Sequence, residues 1–352
     1  MAYLPRLSDL WVTFYTIAIG AAGAFAGYLL GLPVFLLTGP AIAVSAIGLA
    51  GFRFAITPLV RDVTFIFIGI GIGSGVDAHA AAAFLSWPLA FLFLGIMLVV
   101  TMISCKTLLR SVFGFEQRSA ILAASPGHLS FVISMSESLD LDITKIAIVQ
   151  SVRLLALTLC VPFVALFFGL DVGRDFLPAG PTMPIHLVAA LFSAALVFGL
   201  ILKRLKVPAA LLIGAMVASA LAHLSDWTPG VLAPPVTNTC FVVMGTLIGT
   251  RFSGISISEL AKSLSAGLCT TALTVLFALI AALPTAILLG MPITHVLVAF
   301  APGGLETMIV MGAFLGANPG FVAACHVGRL LVLTVLVPAM LNRTTMPETG
   351  TS

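Results

Sequence analysis

The chain has 352 residues, of which 60% are hydrophobic and only 8% charged, with a mean hydropathy of +1.20. A soluble domain carries roughly 25% charged residues, so this chain cannot cover a water-facing surface, and its outer face is expected to meet lipid. The apolar runs are continuous rather than alternating, which excludes a β-barrel and predicts an all-α polytopic membrane protein; the net charge of +3 says little about partners.

Residues 1–10 are short and mixed, and the first apolar run is longer than the core of a secretion signal, so no cleavable signal peptide is expected. Six apolar segments follow, at about 11–31, 33–51, 57–76, 86–108, 119–137 and 143–169. A polar, Pro- and Gly-containing linker covers 171–184. Six more segments fall at about 184–202, 207–223, 238–253, 264–289, 294–315 and 319–340. The expected organisation is a first membrane repeat over 10–170, the linker, a second membrane repeat over 185–341, and a polar tail over 342–352.

The two halves share a frame. Ser125-Pro126-Gly127-His128-Leu129-Ser130 recurs as Ala301-Pro302-Gly303-Gly304-Leu305-Glu306, with the proline displaced by 176 residues, from 126 to 302. Gln150 and Arg153 correspond to His326 and Arg329, and Val161-Pro162 to Val337-Pro338, at the same displacement. Pro33 and Gly39 align with Pro208 and Gly214, and Gly69 and Gly73 with Gly245 and Gly249. A fixed internal period points to two copies of one membrane unit.

Lys and Arg in short loops mark the cytoplasmic side. Arg6, Arg53, Arg61, Lys106, Arg110 and Arg118 lie at the amino terminus and at alternate loops of the first half. Lys203, Arg204, Lys206, Arg251, Lys262 and Arg343 fall on that same side only if each half has an odd number of crossings and the second half is inverted. The pattern therefore predicts inverted repeats with a cytoplasmic amino terminus. One segment per half must then fail to span. The fifth is the candidate, because its Pro-Gly pair removes a backbone donor and permits a turn. Such backbone survives at membrane depth only when buried in protein or lining a wet cavity. About ten crossings plus two broken or re-entrant segments are expected; an ordinary twelve-helix bundle is the alternative.

Arg153 and Arg329 interrupt apolar sixth segments, and a charge at that depth marks a functional site by default. Gln150 and His326 each lie three residues before their arginine, on one helix face. The plainer reading is that each arginine only ties its helix to freed carbonyls of the break. Glu306 follows the second turn, where it could pair with Arg329 or hold a proton or cation; it could equally cap a helix start. Glu137 could pair with Arg153. His128 has no second ligand at metal spacing and reads as a hydrogen-bonded structural histidine. The run Gly69, Gly71, Gly73, Gly75 lacks the strand–turn–helix setting of a nucleotide loop and reads as helix packing. The five cysteines are scattered in apolar segments with no paired spacing and read as packing residues.

At the two Pro-Gly motifs with their downstream Gln-x-x-Arg and His-x-x-Arg, the chain resembles the membrane AbrB duplication family, from about residue 10 to 341. Members carry the labels transcriptional regulator and ammonia monooxygenase. The resemblance implies a bacterial inner-membrane protein built from two copies of one domain; it does not extend to the small soluble DNA-binding regulator of the same name. His128 departs from the small residue expected in that turn.

Inverted repeats with broken helices at mid-membrane are the recurring plan of secondary transporters. The expected function is therefore a carrier of a small, anionic solute. The candidate binding residues are Pro126, Gly127, His128, Gln150, Arg153, Pro302, Gly303, Gly304, Glu306, His326 and Arg329. The expected partners are the lipid bilayer, the solute and H+ or Na+, with no direct contact to nucleic acid and room for a homo-oligomer. No cofactor, metal or catalytic residue is expected: a monooxygenase needs a copper or iron site, and no His, Cys or carboxylate cluster suggests one. The alternative is an indirect effect on gene expression, since no basic DNA-binding element is visible.

Overall fold

The computed structural model describes residues 7–75, 87–126, 129–167 and 180–342. Fourteen α-helices account for most of these residues. They are α1 (Leu7–Leu29), α2 (Phe35–Leu49), α3 (Pro58–Gly73), α4 (Trp87–Ser111), α5 (Gln117–Ala124), α6 (Leu129–Ser138), α7 (Ile143–Phe167), α8 (Ile185–Arg204), α9 (Ala210–Leu224), α10 (Pro234–Gly249), α11 (Ile257–Leu289), α12 (Ile293–Phe300), α13 (Leu305–Phe314) and α14 (Pro319–Asn342). The extended pairing among the described residues is a single bridge between Thr182 and Val231.

The local chemistry of the helix starts recurs down the chain. α3 opens on Pro58 after extended Thr57, and α10 on Pro234 after Ala233, each proline filling a position where a missing N–H costs nothing. α2 and α9 are entered through left-handed residues, Val34 at φ 50° and Ala209 at φ 49°, each directly after a proline. A β-branched residue there is a strained outlier.

Among the described residues six helices are long and apolar enough to cross a membrane: α1, α4, α7, α8, α11 and α14, the α7 span being counted over Ile143–Val164. The protein is a multi-pass helical membrane protein. Segments expected over 33–51 and 57–76 form helices of only 15 and 16 residues. A helix of that size rises about 22–24 Å, against a hydrocarbon core of about 30 Å. In the second half, α11 starts at Ile257, earlier than the apolar run over 264–289 suggests, because Glu259 and Lys262 join the helix. Each fifth segment is broken, as expected: α5 and α6 replace 119–137, and α12 and α13 replace 294–315.

The helices sort into two compact units. The first comprises residues 1–84, 158–257 and 305–323, the second 85–157, 258–304 and 324–352. In the first unit, α3 packs on α9 and α10 on α2, so helices from the two halves of the chain interleave. The glycines that aligned in the sequence make this possible. A methyl group on Gly69 would come 2.4 Å from the Leu212 carbonyl oxygen, and one on Gly245 would come 2.3 Å from that of Leu37. Ser219 adds an inter-helix bond, its hydroxyl donating to the Ile70 carbonyl at 2.7 Å. Gly69→Ala and Gly245→Ala should each cost about 1–3 kcal/mol, the usual result of forcing volume into a packed contact. Melting of the purified protein in detergent measures this, and a wild-type melting temperature in either variant would contradict the packing.

The second unit is organised around one apolar cluster. Met102, Cys105 and Leu109 of α4 meet Ile121 and Leu122 of α5, Val132 of α6, Ile146 and Val149 of α7, Ala266 of α11, and Leu333 and Val337 of α14. Gly267 of α11 lies against Val152 of α7. Val149 is one turn before Arg153 and Leu333 one turn after Arg329, so the cluster draws both arginine-bearing helices together.

Candidate functional site

Each break is a proline effect. The residue before a proline is driven out of the helical region, and Ser125 and Ala301 accordingly end α5 and α12 with ψ of 115° and 130°. Pro126, Pro302 and Gly303 are non-helical. Helix carbonyls at such an end lose their usual donors and need others. Gly127 and His128 lie outside the described residues.

The donors come from α7 and α14. Arg153 donates from Nη2 to the Ser125 carbonyl at 2.9 Å, and Arg329 donates from Nη1 to the Ala301 carbonyl at 2.9 Å, across the same 28 residues in each case. Arg329 Nη2 adds a bond to the Gly303 carbonyl at 3.1 Å. Gln150 Nε2 donates to the Leu122 and Ser125 carbonyls at 3.0 and 2.8 Å, and its Oε1 accepts from Arg153 Nη2. Both arginines are 1% exposed, Gln150 equally so, and His326, on the turn before Arg329, is fully buried. Pro302 and Gly303 are buried beside them and Gly304 partly so.

The guanidiniums are not used up by these ties. Arg153 Nε and Nη1 and Arg329 Nε are buried and have no hydrogen-bond partner among the described residues. Arg153 also lies close enough to Arg329 to act on it electrostatically, and Cys105 and Cys325 stand near Arg153 and Arg329 respectively. Cys105 Sγ is in turn 3.6 Å from the Thr274 hydroxyl.

Of the readings open to Arg329, a tie to freed carbonyls or a pair with Glu306, its described donors follow the first. Glu306 belongs to the first unit, half-buried at the second position of α13, where its charge acts on Arg251. Glu137 is exposed and does not pair with Arg153, whose Nη2 is taken by Ser125 and Gln150. The second unit thus brings together Pro126, Gln150, Arg153, Pro302, Gly303, Gly304, His326 and Arg329. The Ser125 and Ala301 carbonyls are the freed acceptors that the tie reading called for, although no residue letter singles out which carbonyls serve. Arg251 was visible only as a loop cation. Among the described residues no group of three His, Cys, Asp or Glu lies together as a metal site would require.

Buried arginines pinned to broken helices, in a chain of six spanning-length helices, define a multi-pass membrane protein with a charged interior. The family model described as transition state regulatory protein AbrB matches residues 36–344, and the chain belongs to that family. It is also 24% identical over 240 residues to the uncharacterized protein YhjN of Bacillus subtilis (strain 168), a match covering 63% of this chain and 62% of that one.

Proposed function

We propose that this protein is a secondary carrier of a small anionic solute, set in the cell inner membrane with its amino terminus in the cytoplasm. One observation carries the reading: two fully buried guanidiniums retain N–H groups with no partner among the described residues, beside two backbone breaks. Intramembrane charge of this kind marks solute and ion pathways, and broken helices supply the sites of many secondary transporters. The architecture is read as two inverted copies. In support, α3, α5, α6 and α7 start 176 residues before α10, α12, α13 and α14. The Arg-to-carbonyl tie spans 28 residues in both halves.

On this reading the bilayer and the solute are the partners, and no bond-making step is involved. Glu306, whose charge acts on Arg251, is the carboxylate through which coupling to H+ or Na+ would run. A second reading draws on the family's description as a regulatory protein: an indirect effect on gene expression, caused by changing the cytoplasmic level of the solute. Metabolite profiling of a deletion strain tests the carrier reading. A specific small anion should change in level, and an unchanged anion pool would count against it.

Orientation has its own expected result. Single-cysteine labels in the loop carrying Lys203 and Lys206, and at the amino terminus, should react from the cytoplasmic side alone. Reaction of that loop from the periplasm would contradict the inverted arrangement.

A further inference from the structure

The charge balance of the second unit is one-sided. Its described carboxylates are Glu116, Glu137, Asp140, Asp142 and Glu259, and every one is exposed. None is available to neutralise Arg153 or Arg329, which are 1% exposed and lie one turn from Val149 and Leu333 of the same buried cluster, with Arg153 acting electrostatically on Arg329. Bringing two like charges together away from water is unfavourable unless opposite charge or strong hydrogen bonding compensates. Carbonyl oxygens compensate only in part, and the same carbonyls are held in the first half by a neutral amide, Gln150. The ties therefore need no charge, and the guanidinium charges and spare N–H groups are left for something else.

We propose that Arg153 and Arg329 together bind one solute bearing two negative charges, a doubly charged inorganic oxyanion or a dicarboxylate. Guanidinium suits oxygen acceptors of this kind, since its planar array of donors matches their geometry. A single negative charge would leave one arginine uncompensated; two close the balance. The inference rests on the carrier reading only in taking these arginines to be the solute site.

Binding of sulfate, nitrate, succinate and acetate to the purified full-length protein, by calorimetry at fixed ionic strength, tests it. Sulfate is expected to bind tighter than nitrate, or succinate tighter than acetate, by roughly tenfold or more, about the worth of one charge-assisted hydrogen bond. Which pair shows the preference tells an inorganic oxyanion from a dicarboxylate. Arg153→Gln and Arg329→Gln should each erase the preference, whereas Arg153→Lys, which keeps the charge, should retain it. Equal affinity for singly and doubly charged anions overturns the two-charge proposal and leaves the anion-carrier reading standing. No binding of any of the four to folded wild-type protein overturns both. A preference that survives in folded Arg→Gln variants removes these residues from the site.

Discussion

Arg329→Gln should stop solute flux while leaving a folded protein in the membrane. Truncating one partner of a buried, hydrogen-bonded charge contact costs about 2–5 kcal/mol, which is a loss of about thirtyfold or more in affinity. The fold should survive because a neutral amide can hold a freed carbonyl, as Gln150 holds that of Ser125 at 2.8 Å. A purely structural arginine would behave differently, with melting temperature and flux falling together. The check is solute flux in proteoliposomes, set beside a melting curve of the same preparation. Full flux in a folded variant would reduce Arg329 to a scaffold tie.

Gln150→Leu is expected to show the opposite pattern, a large loss of stability. Its Nε2 serves the Leu122 and Ser125 carbonyls and its Oε1 receives Arg153, all away from solvent. Leucine fills a similar volume but strips one donor from each carbonyl, leaving Ser125 to Arg153 Nη2 and Leu122 to a backbone bond from Ser125 at 3.3 Å, and it removes the side-chain acceptor of Arg153, at about 1–3 kcal/mol in all. It also frees Arg153 to swing from its position, so flux should fall as well. Thermal unfolding in detergent measures the first effect. An unchanged melting temperature would mean that water or a rotated Arg153 takes over the carbonyls.

The breaks and the burial of the two arginines were legible in the sequence. Proline and glycine are chemically unambiguous there, and Arg in an apolar run has no surface explanation. That each arginine ties its helix to freed carbonyls was one reading of the sequence, and the bonds to Ser125 and Ala301 follow it. Which carbonyls was not legible, because a backbone acceptor has no residue letter, and the alternative partners Glu306 and Glu137 make no described bond to them. Helix length was also poorly legible. Residues 33–51 look like one continuous apolar run, yet Pro33 and left-handed Val34 delay the helix to Phe35. The pairing of helices inside the first unit depends on contacts such as Gly69 against Leu212 and Gly245 against Leu37. The aligned glycines hinted at close packing without naming the partner helix.

On the carrier proposal, a small anion occupies the charged interior of this membrane protein and crosses the bilayer through it. Counterflow into proteoliposomes tests it most directly: wild-type and Arg329→Gln vesicles are preloaded with the unlabelled anion that accumulates or disappears in the deletion strain, and uptake of the same anion in labelled form is followed. Wild-type vesicles should show transient accumulation, and variant vesicles none above protein-free background. Wild-type vesicles that behave like protein-free liposomes would contradict it.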